Sequence, residues 1–270
     1  MNIQYSSIRA LALFITIVSV LGCSTDEKQT VTTMNNLVMQ DEFDVDGAPN
    51  SSYWSYDIGT GNNGWGNNES QYYTSRPENV VVEDGMLKIT ARQELYMGSN
   101  YTSARILTKG KVEQKYGRIE ARIKCPLGQG LWPAFWMLGE DIDEVGWPNC
   151  GEIDIMEYLG SNPITAFGTV HGPGYSGAES ISKNFTLTNS RFDTDFHIFG
   201  IEWGENYINY YIDDKLYNQI TPEDVPGEWV FNKPFYIILN MAVGGNLPGA
   251  PNSETSFPQT MLVDYVRIYQ

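Results

Sequence analysis

The segment Asn149–Gly160 reads NCGEIDIMEYLG and sets three carboxylic acids, Glu152, Asp154 and Glu157, within six residues. Interleaved with them are Ile153, Ile155 and Met156, residues that belong in a core, where an unpaired carboxylate is costly. Acids this close cannot all ionise normally, because like charges raise at least one pKa. One protonated and one ionised carboxyl is the pair that glycoside hydrolysis uses: an acid for the leaving oxygen and a nucleophile or base for the sugar carbon. The middle acid is placed to hold a shared proton and orient the nucleophile. The alternatives are a solvated strand face, which the apolar interleaving disfavours, and a metal site made from all three acids.

That chemistry needs the three side chains on one surface. The segment is short and β-branched and reads as a strand, whose side chains alternate between faces. Strict alternation groups Glu152 with Asp154 and Met156 and throws Glu157 to the opposite side. One extra residue, a β-bulge at Ile155–Met156, brings Glu157 back and leaves the apolar trio behind; bulges re-aim side chains beside active sites. A bulge is predicted here. Retention and inversion differ in carboxyl separation, about 5–5.5 Å against about 6.5–9.5 Å, and spacing along the chain leaves both open.

Strand signals surround this segment. Asn79–Ala91 reads as two strands about the turn Glu83-Asp84-Gly85, and Phe196–Tyr217 as a meander. Tyr116–Lys124 alternates, with Ile119, Ala121 and Ile123 inward and Arg118, Glu120, Arg122 and Lys124 outward. Phe235–Val243 is an apolar run for a strand buried on both faces, and Met261–Tyr269 alternates to the end. No sustained helical stripe interrupts them. The pattern predicts an all-β fold, a jelly-roll sandwich of two antiparallel sheets with a concave substrate cleft.

The bulk numbers narrow the ligand. With 17 Lys+Arg against 33 Asp+Glu, the formal net charge is −16, which makes nucleic acid a poor partner and would repel sulfated or uronate-rich polymers. A neutral glycan is favoured, and the 13% aromatic content suits a sugar cleft. Arg9 precedes the apolar run Leu11–Leu21, the right length for a signal sequence and too short for a permanent span. The run ends in VLGC-S, which resembles a bacterial lipobox. Residues 1–22 are therefore expected to be a lipoprotein signal peptide, with lipid on Cys23 giving membrane attachment. Residues 23–37 would be a flexible tether, structureless over Ser24–Asn36, and 38–270 a single catalytic domain. Ser24 after the cysteine points to the outer membrane of a bacterial cell envelope. An exported Cys125 and Cys150 have the option of a disulfide, and their spacing along the chain leaves open whether their backbones lie within reach.

At GEIDIME the resemblance becomes specific. With GLWPAFWML (Gly130–Leu138) before it and GTVHGPG (Gly168–Gly174) after it, the segment resembles glycoside hydrolase family 16, in particular its laminarinase-type endo-β-1,3-glucanases. GWGNNESQYYT, TSARILTKGK and LNMAVGGN fit the same family in the same order, so the match spans roughly Val38–Gln270. The resemblance implies retention by double displacement, with Glu152 as nucleophile, Asp154 as its partner and Glu157 as general acid/base, and no cofactor for catalysis. The bulged EIDIME form is that of laminarinases, agarases and carrageenases, and the unbulged EIDIE that of lichenases. An agarase- or porphyranase-like enzyme, a mixed-linkage glucanase and a non-catalytic glycan-binding lipoprotein are the alternatives. The acidic surface argues against a sulfated substrate, and the three intact acids against the binding protein.

The same resemblance assigns substrate contacts to Trp132 and Trp136, to His171 and to Arg105, while the amides of Asn67 and Asn240 suit sugar hydroxyls, donating and accepting at once, or would instead brace loops. Trp147 is a candidate for the rim, while Trp203, Trp229 and His197 are expected to pack. It also implies a structural calcium away from the cleft, held by Glu42, the Gly85 carbonyl and Asp264. Alternation puts Asp264 on a face with Leu262, Val266 and Ile268, where a carboxylate requires a cation. Pairing with an arginine or lysine would serve instead.

Overall fold

The computed structural model describes residues 32–270. The expectations for the signal peptide and for Cys23 fall outside them. Two stacked sheets of ten and eight strands make up the fold, and the sequence-predicted strands all form. The eight-stranded front sheet runs, neighbour to neighbour, Ile181–Thr186, Thr165–His171, Glu152–Tyr158, Leu131–Gly139, Phe235–Val243, Arg105–Leu107 and Ser55–Asp57, with Glu113–Gln114 pairing on Phe235–Val243 as the eighth strand, all antiparallel. The meander His197–Gly204, Tyr207–Ile212 and Lys215–Ile220 lies in the back sheet beside Gly117–Lys124 and Gln259–Tyr269.

The core sits between the sheets, where Ile119, Ala121, Ile123, Ile201 and Val263 of the back sheet share one cluster with Phe135, Met137, Ile153, Ile155 and Met156 of the front. Each fully buried side chain of this size contributes about 1.5–3 kcal/mol. Phe235–Val243 is buried at every position, as its composition required. Its front face is covered because Tyr236 and Ile238 join Leu107, Leu138 and Cys150 in a second small cluster beneath Trp136.

The structure corrects several expectations. Arg118 and Glu120 point outward, yet are only 9% and 7% exposed: Arg118 lies 3.6 Å from the Tyr269 ring centroid, and Glu120 accepts a 2.6 Å hydrogen bond from the Tyr211 hydroxyl. The end of the expected tether is fastened. Thr33 N–H and hydroxyl and Met34 N–H all donate to buried Glu202, and Asn36 exchanges backbone hydrogen bonds with Gln270.

Asp264 does not enter the apolar layer. Val263 faces Ile123 and Tyr265 faces Arg122, so Asp264 is an extra residue at a register shift. It turns outward and ion-pairs with Arg122 at 2.6 Å. Glu42 makes a two-pronged pair with Arg267 at 2.7 and 2.8 Å. The acids beside Gly85, Glu83 and Asp84, both hold Lys88. Each acid thus already has its counter-charge, so Glu42, Gly85 and Asp264 do not fit a calcium site as arranged. Cys125 and Cys150 are both free, one in the main core and the other in the second cluster, and form no disulfide.

Candidate active site

The acidic strand is bulged where predicted. Along one edge Phe135 faces Met156 and Trp136 faces Asp154, leaving Ile155 unmatched. Along the other edge, Asp154 faces Thr169 and Glu157 faces Phe167, two residues against one. Ile153, Ile155 and Met156 all enter the core, while Glu152 and Glu157 reach the front surface with Asp154, 3% exposed, between them.

Each acid is held by a different neighbour. The Trp147 indole N–H donates to Glu152 Oε2 at 2.6 Å. Glu157 accepts from the Trp132 indole N–H and from the Thr169 hydroxyl, both at 3.2 Å. Asp154 Oδ2 lies 3.3 Å from His171 Nε2. Burial first, and the charge of Asp154 second, push the Glu152 carboxyl up to about 8. Burial raises Asp154 well above the carboxylate range, with the Glu157 charge adding to it, and Glu157 is raised by burial and then by Glu152. Glu152 and Asp154 lie on the same face and each shifts the other's carboxyl, so their first proton belongs to the pair. Two protons over three carboxyls, with one negative charge shared by Glu152 and Asp154, is the state that leaves Glu157 an acid.

Ligand atoms of Glu152, Asp154 and His171 lie within 4.8 Å of one another, close enough to hold a metal ion. The histidine argues against it. Its Nδ1 accepts the Gly177 backbone N–H at 3.1 Å, which leaves the proton on Nε2, the nitrogen facing Asp154. A protonated nitrogen donates and cannot ligate.

Trp132 and Trp136 share the cleft face, both half-buried amid buried neighbours. Trp136 donates its N–H to Asn240 Oδ1 at 2.7 Å, and Asn240 donates to the Tyr73 hydroxyl at 3.0 Å. Arg105 ion-pairs with Asp57 at 2.9 Å, and its guanidinium carbon lies 4.7 Å from the ring centroids of both Trp65 and Trp136. Asn67 reaches Glu69 at 3.5 Å. Five adjacent strands thus bring the predicted residues other than Asn67 into one row, from His171 to Arg105, and Asn67 sits in the separate segment Gly64–Asn68. Trp203 is fully buried, and Trp229 and His197 are tied into the fold by Glu205 and Asp213.

Sequence reasoning missed Glu69, Trp65, Asp57 and Thr169. Glu69 is raised by burial and accepts from Gln71 at 2.6 Å and Tyr73 at 3.2 Å. Its signal was a third polar residue after Asn67-Asn68 in WGNNE. Trp65 has φ 54, a left-handed conformation that costs a bulky residue energy, and nothing in its position along the chain announces that it meets Arg105.

A two-sheet sandwich with a row of aromatic and amide groups leading to paired carboxyls is the architecture of a polysaccharide-cleaving hydrolase. Residues 67–267 match the model for Glycosyl hydrolases family 16, and the chain belongs to that family. A beta-glucanase of Rhodothermus marinus is 43% identical over 87% of this chain and 85% of its own length. A glucan endo-1,3-beta-glucosidase A1 of Niallia circulans is 37% identical over 87% of this chain, which spans only 38% of that longer protein. The X-ray structure of endo-beta-1,3-glucanase from Pyrococcus furiosus superimposes with a TM-score of 0.84 at 51% identity, covering 87% of this chain and 94% of that one.

Proposed function

We propose that this glycoside hydrolase is a retaining endo-β-1,3-glucanase, a laminarinase, acting on internal bonds of a neutral β-glucan. The observation that carries the reading is the bulge that sets Glu157 beside Glu152 and Asp154. Glu152 attacks the anomeric carbon while Glu157 gives its proton to the departing glycosidic oxygen, leaving a glycosyl ester on Glu152. Glu157, now a carboxylate, takes a proton from water, which releases the sugar with its configuration retained. The Trp147 N–H and the Asp154 proton hold the Glu152 anion, and Trp132 with Thr169 fixes Glu157 toward the leaving oxygen. Half-buried Trp132 and Trp136 offer flat apolar faces to pyranose rings, and Arg105, Asn67 and Asn240 bind hydroxyls further along the row.

Incubation with linear β-1,3-glucan, mixed-linkage glucan and agarose, with products read by chromatography, tests this. Shortening of the β-1,3-glucan to oligosaccharides from the earliest times is expected, as is its loss in Glu152→Gln; binding without cleavage of any of the three would overturn the reading.

We propose in addition that residues 1–22 are removed and that lipid on Cys23 attaches the enzyme to the outer membrane of a bacterial envelope. Arg9, the Leu11–Leu21 run and VLGC-S support this. Palmitate labelling that disappears in Cys23→Ser is expected; equal labelling in both would refute it.

A further inference from the structure

Residues 33–36 cross the outer face of the back sheet. Asn36 exchanges backbone hydrogen bonds with Gln270, the neighbour of Tyr269. Asn35 Oδ1 then accepts from the Arg118 guanidinium at 3.1 Å. Beyond it, Glu202 accepts the Thr33 N–H and hydroxyl, both at 2.7 Å, and the Met34 N–H. These contacts follow the register, because Tyr269 faces Arg118 and Arg118 faces Glu202 on three neighbouring strands. Ile268, Ile119 and Ile201, next to each in sequence, lie in the core, so alternation turns all three side chains outward. Glu202 is nonetheless buried, and the segment that donates to it is its cover.

This point of exit lies opposite the catalytic acids. Glu152 and Glu157 reach the outer surface of the front sheet, so both sheets stand between them and Thr33. Thr33 follows Cys23 by ten residues, a length that reaches at most about 35 Å when fully extended. The back face also has a chemistry of its own. Arg118, Arg122 and Arg267 stack on the rings of Tyr269, Phe196 and Tyr265, at 3.6, 4.6 and 3.7 Å from their centroids. Each has an acid beside it, Glu120, Asp264 and Glu42 in turn. The face is therefore charge-balanced, although the whole chain carries −16. Tyrosine rings with polar tips and guanidinium groups on apolar stems suit a lipid headgroup layer.

Resting on the reading that lipid on Cys23 attaches the enzyme to a membrane, we infer that the outer face of the back sheet is the side turned to the lipid surface. The hold of Glu202 on Thr33 and Met34 sets that orientation, and the cleft opens away from the bilayer along its length. A long glucan then reaches the acids without threading between protein and membrane.

The test places the full lipidated chain in vesicles of phosphatidylethanolamine and phosphatidylglycerol that carry a nitroxide headgroup lipid. A fluorophore sits on one introduced cysteine, and Cys125 and Cys150, both buried, stay unlabelled. Gln219 is exposed on the back face, in one row with Asn209 and Glu202. Asn184 is exposed on the cleft side, in one row with Phe167 and Glu157. Label on Gln219→Cys is expected to be quenched severalfold more strongly than label on Asn184→Cys. Thr33→Pro with Met34→Pro removes two donors to Glu202 without touching the core, and is expected to bring that ratio towards one. Glu202→Gln acts in the same direction. Vesicle-bound enzyme should also cut long and short β-1,3-glucans in the same rate ratio as Cys23→Ser in solution. Equal or reversed quenching at the two positions would overturn the inference, as would a ratio that the double proline leaves unchanged. A chain that takes up no palmitate would instead sink the lipid-anchor reading, and the inference with it.

Discussion

Asp154 and Glu157 stand three residues apart on their own strand, yet they face Thr169 and Phe167, only two apart on the next. The surplus residue is what carries Glu157 round to the acidic face. Opposite it stands Gly168, where a Cβ would fall 2.4 Å from the Tyr217 hydroxyl and 2.5 Å from the Tyr210 ring. Two tyrosines of the back sheet thus fill the space behind the strand that faces the bulge, and no side chain fits at Gly168.

Gly168→Ala is accordingly expected to cost about 1–3 kcal/mol of stability through overpacking. Tyr217→Phe removes the nearest clashing atom, a hydroxyl that is buried without a hydrogen-bond partner, so it is near neutral alone and restores part of the loss in the double variant. Urea unfolding of all four proteins measures this; strictly additive costs would contradict it.

Thr169 ties this support to the chemistry. Its hydroxyl donates to Glu157 and lowers that carboxyl's pKa, while its carbonyl accepts from the Tyr210 hydroxyl at 2.9 Å. Thr169→Val therefore raises Glu157 further and moves the alkaline limb of the rate profile to higher pH. The loss in kcat/KM is about tenfold or less, the worth of one hydrogen bond, and Thr169→Ser restores the limb. A profile unmoved by the valine would remove Thr169 from this role.

Stability carries the same signature. The folded state keeps the last proton shared by Glu152 and Asp154 well past the ordinary carboxylate range, with Glu152 pushed up to about 8 from 4.5, whereas the unfolded chain releases it near that ordinary value. The folded protein binds more protons across this window, so the contribution is intact below it and is lost as pH rises through it. Glu152→Gln has nothing to release. Its melting temperature should equal that of the wild type near about pH 4 and exceed it by a few degrees above about pH 8. Calorimetry showing a constant difference across that range would contradict the raised carboxyl.

Arg105 lies between two indoles and against Asp57. A lysine keeps the charge but not the flat guanidinium that stacks on both rings. On the proposal that the row binds glucan away from the bond that breaks, Arg105→Lys is expected to raise KM about tenfold with little change in kcat. A fall in kcat at constant KM would place Arg105 at the reacting centre instead.

Much of this was legible in the sequence because carboxylates among apolar residues admit few arrangements. Three acids spaced two and three apart share a face only if a residue is inserted, so the bulge followed from the chemistry. The same device at Asp264 was invisible: one acid among alternating residues gives no sign that the register slips, and simple alternation sent it the wrong way. Arg105, Trp132 and Trp136 were found by type and resemblance. Trp65 and Thr169 were missed because their partners Arg105 and Tyr210 come from distant segments, across contacts that no local period encodes, and Glu69 because its hydrogen bonds are local but its burial is made by the fold. A tether was expected up to residue 37, but Thr33 and Met34 are clamped by Glu202, which lies far along the chain.

The most direct measurement is to trap the glycosyl-enzyme with a 2-fluoro-substituted β-glucan oligosaccharide carrying a good leaving group and to locate the sugar by peptide mass spectrometry. A single adduct on Glu152, formed also in Glu157→Gln because that leaving group needs no proton, is the predicted result. An adduct on Glu157, or steady turnover with inverted product and no adduct, would contradict it.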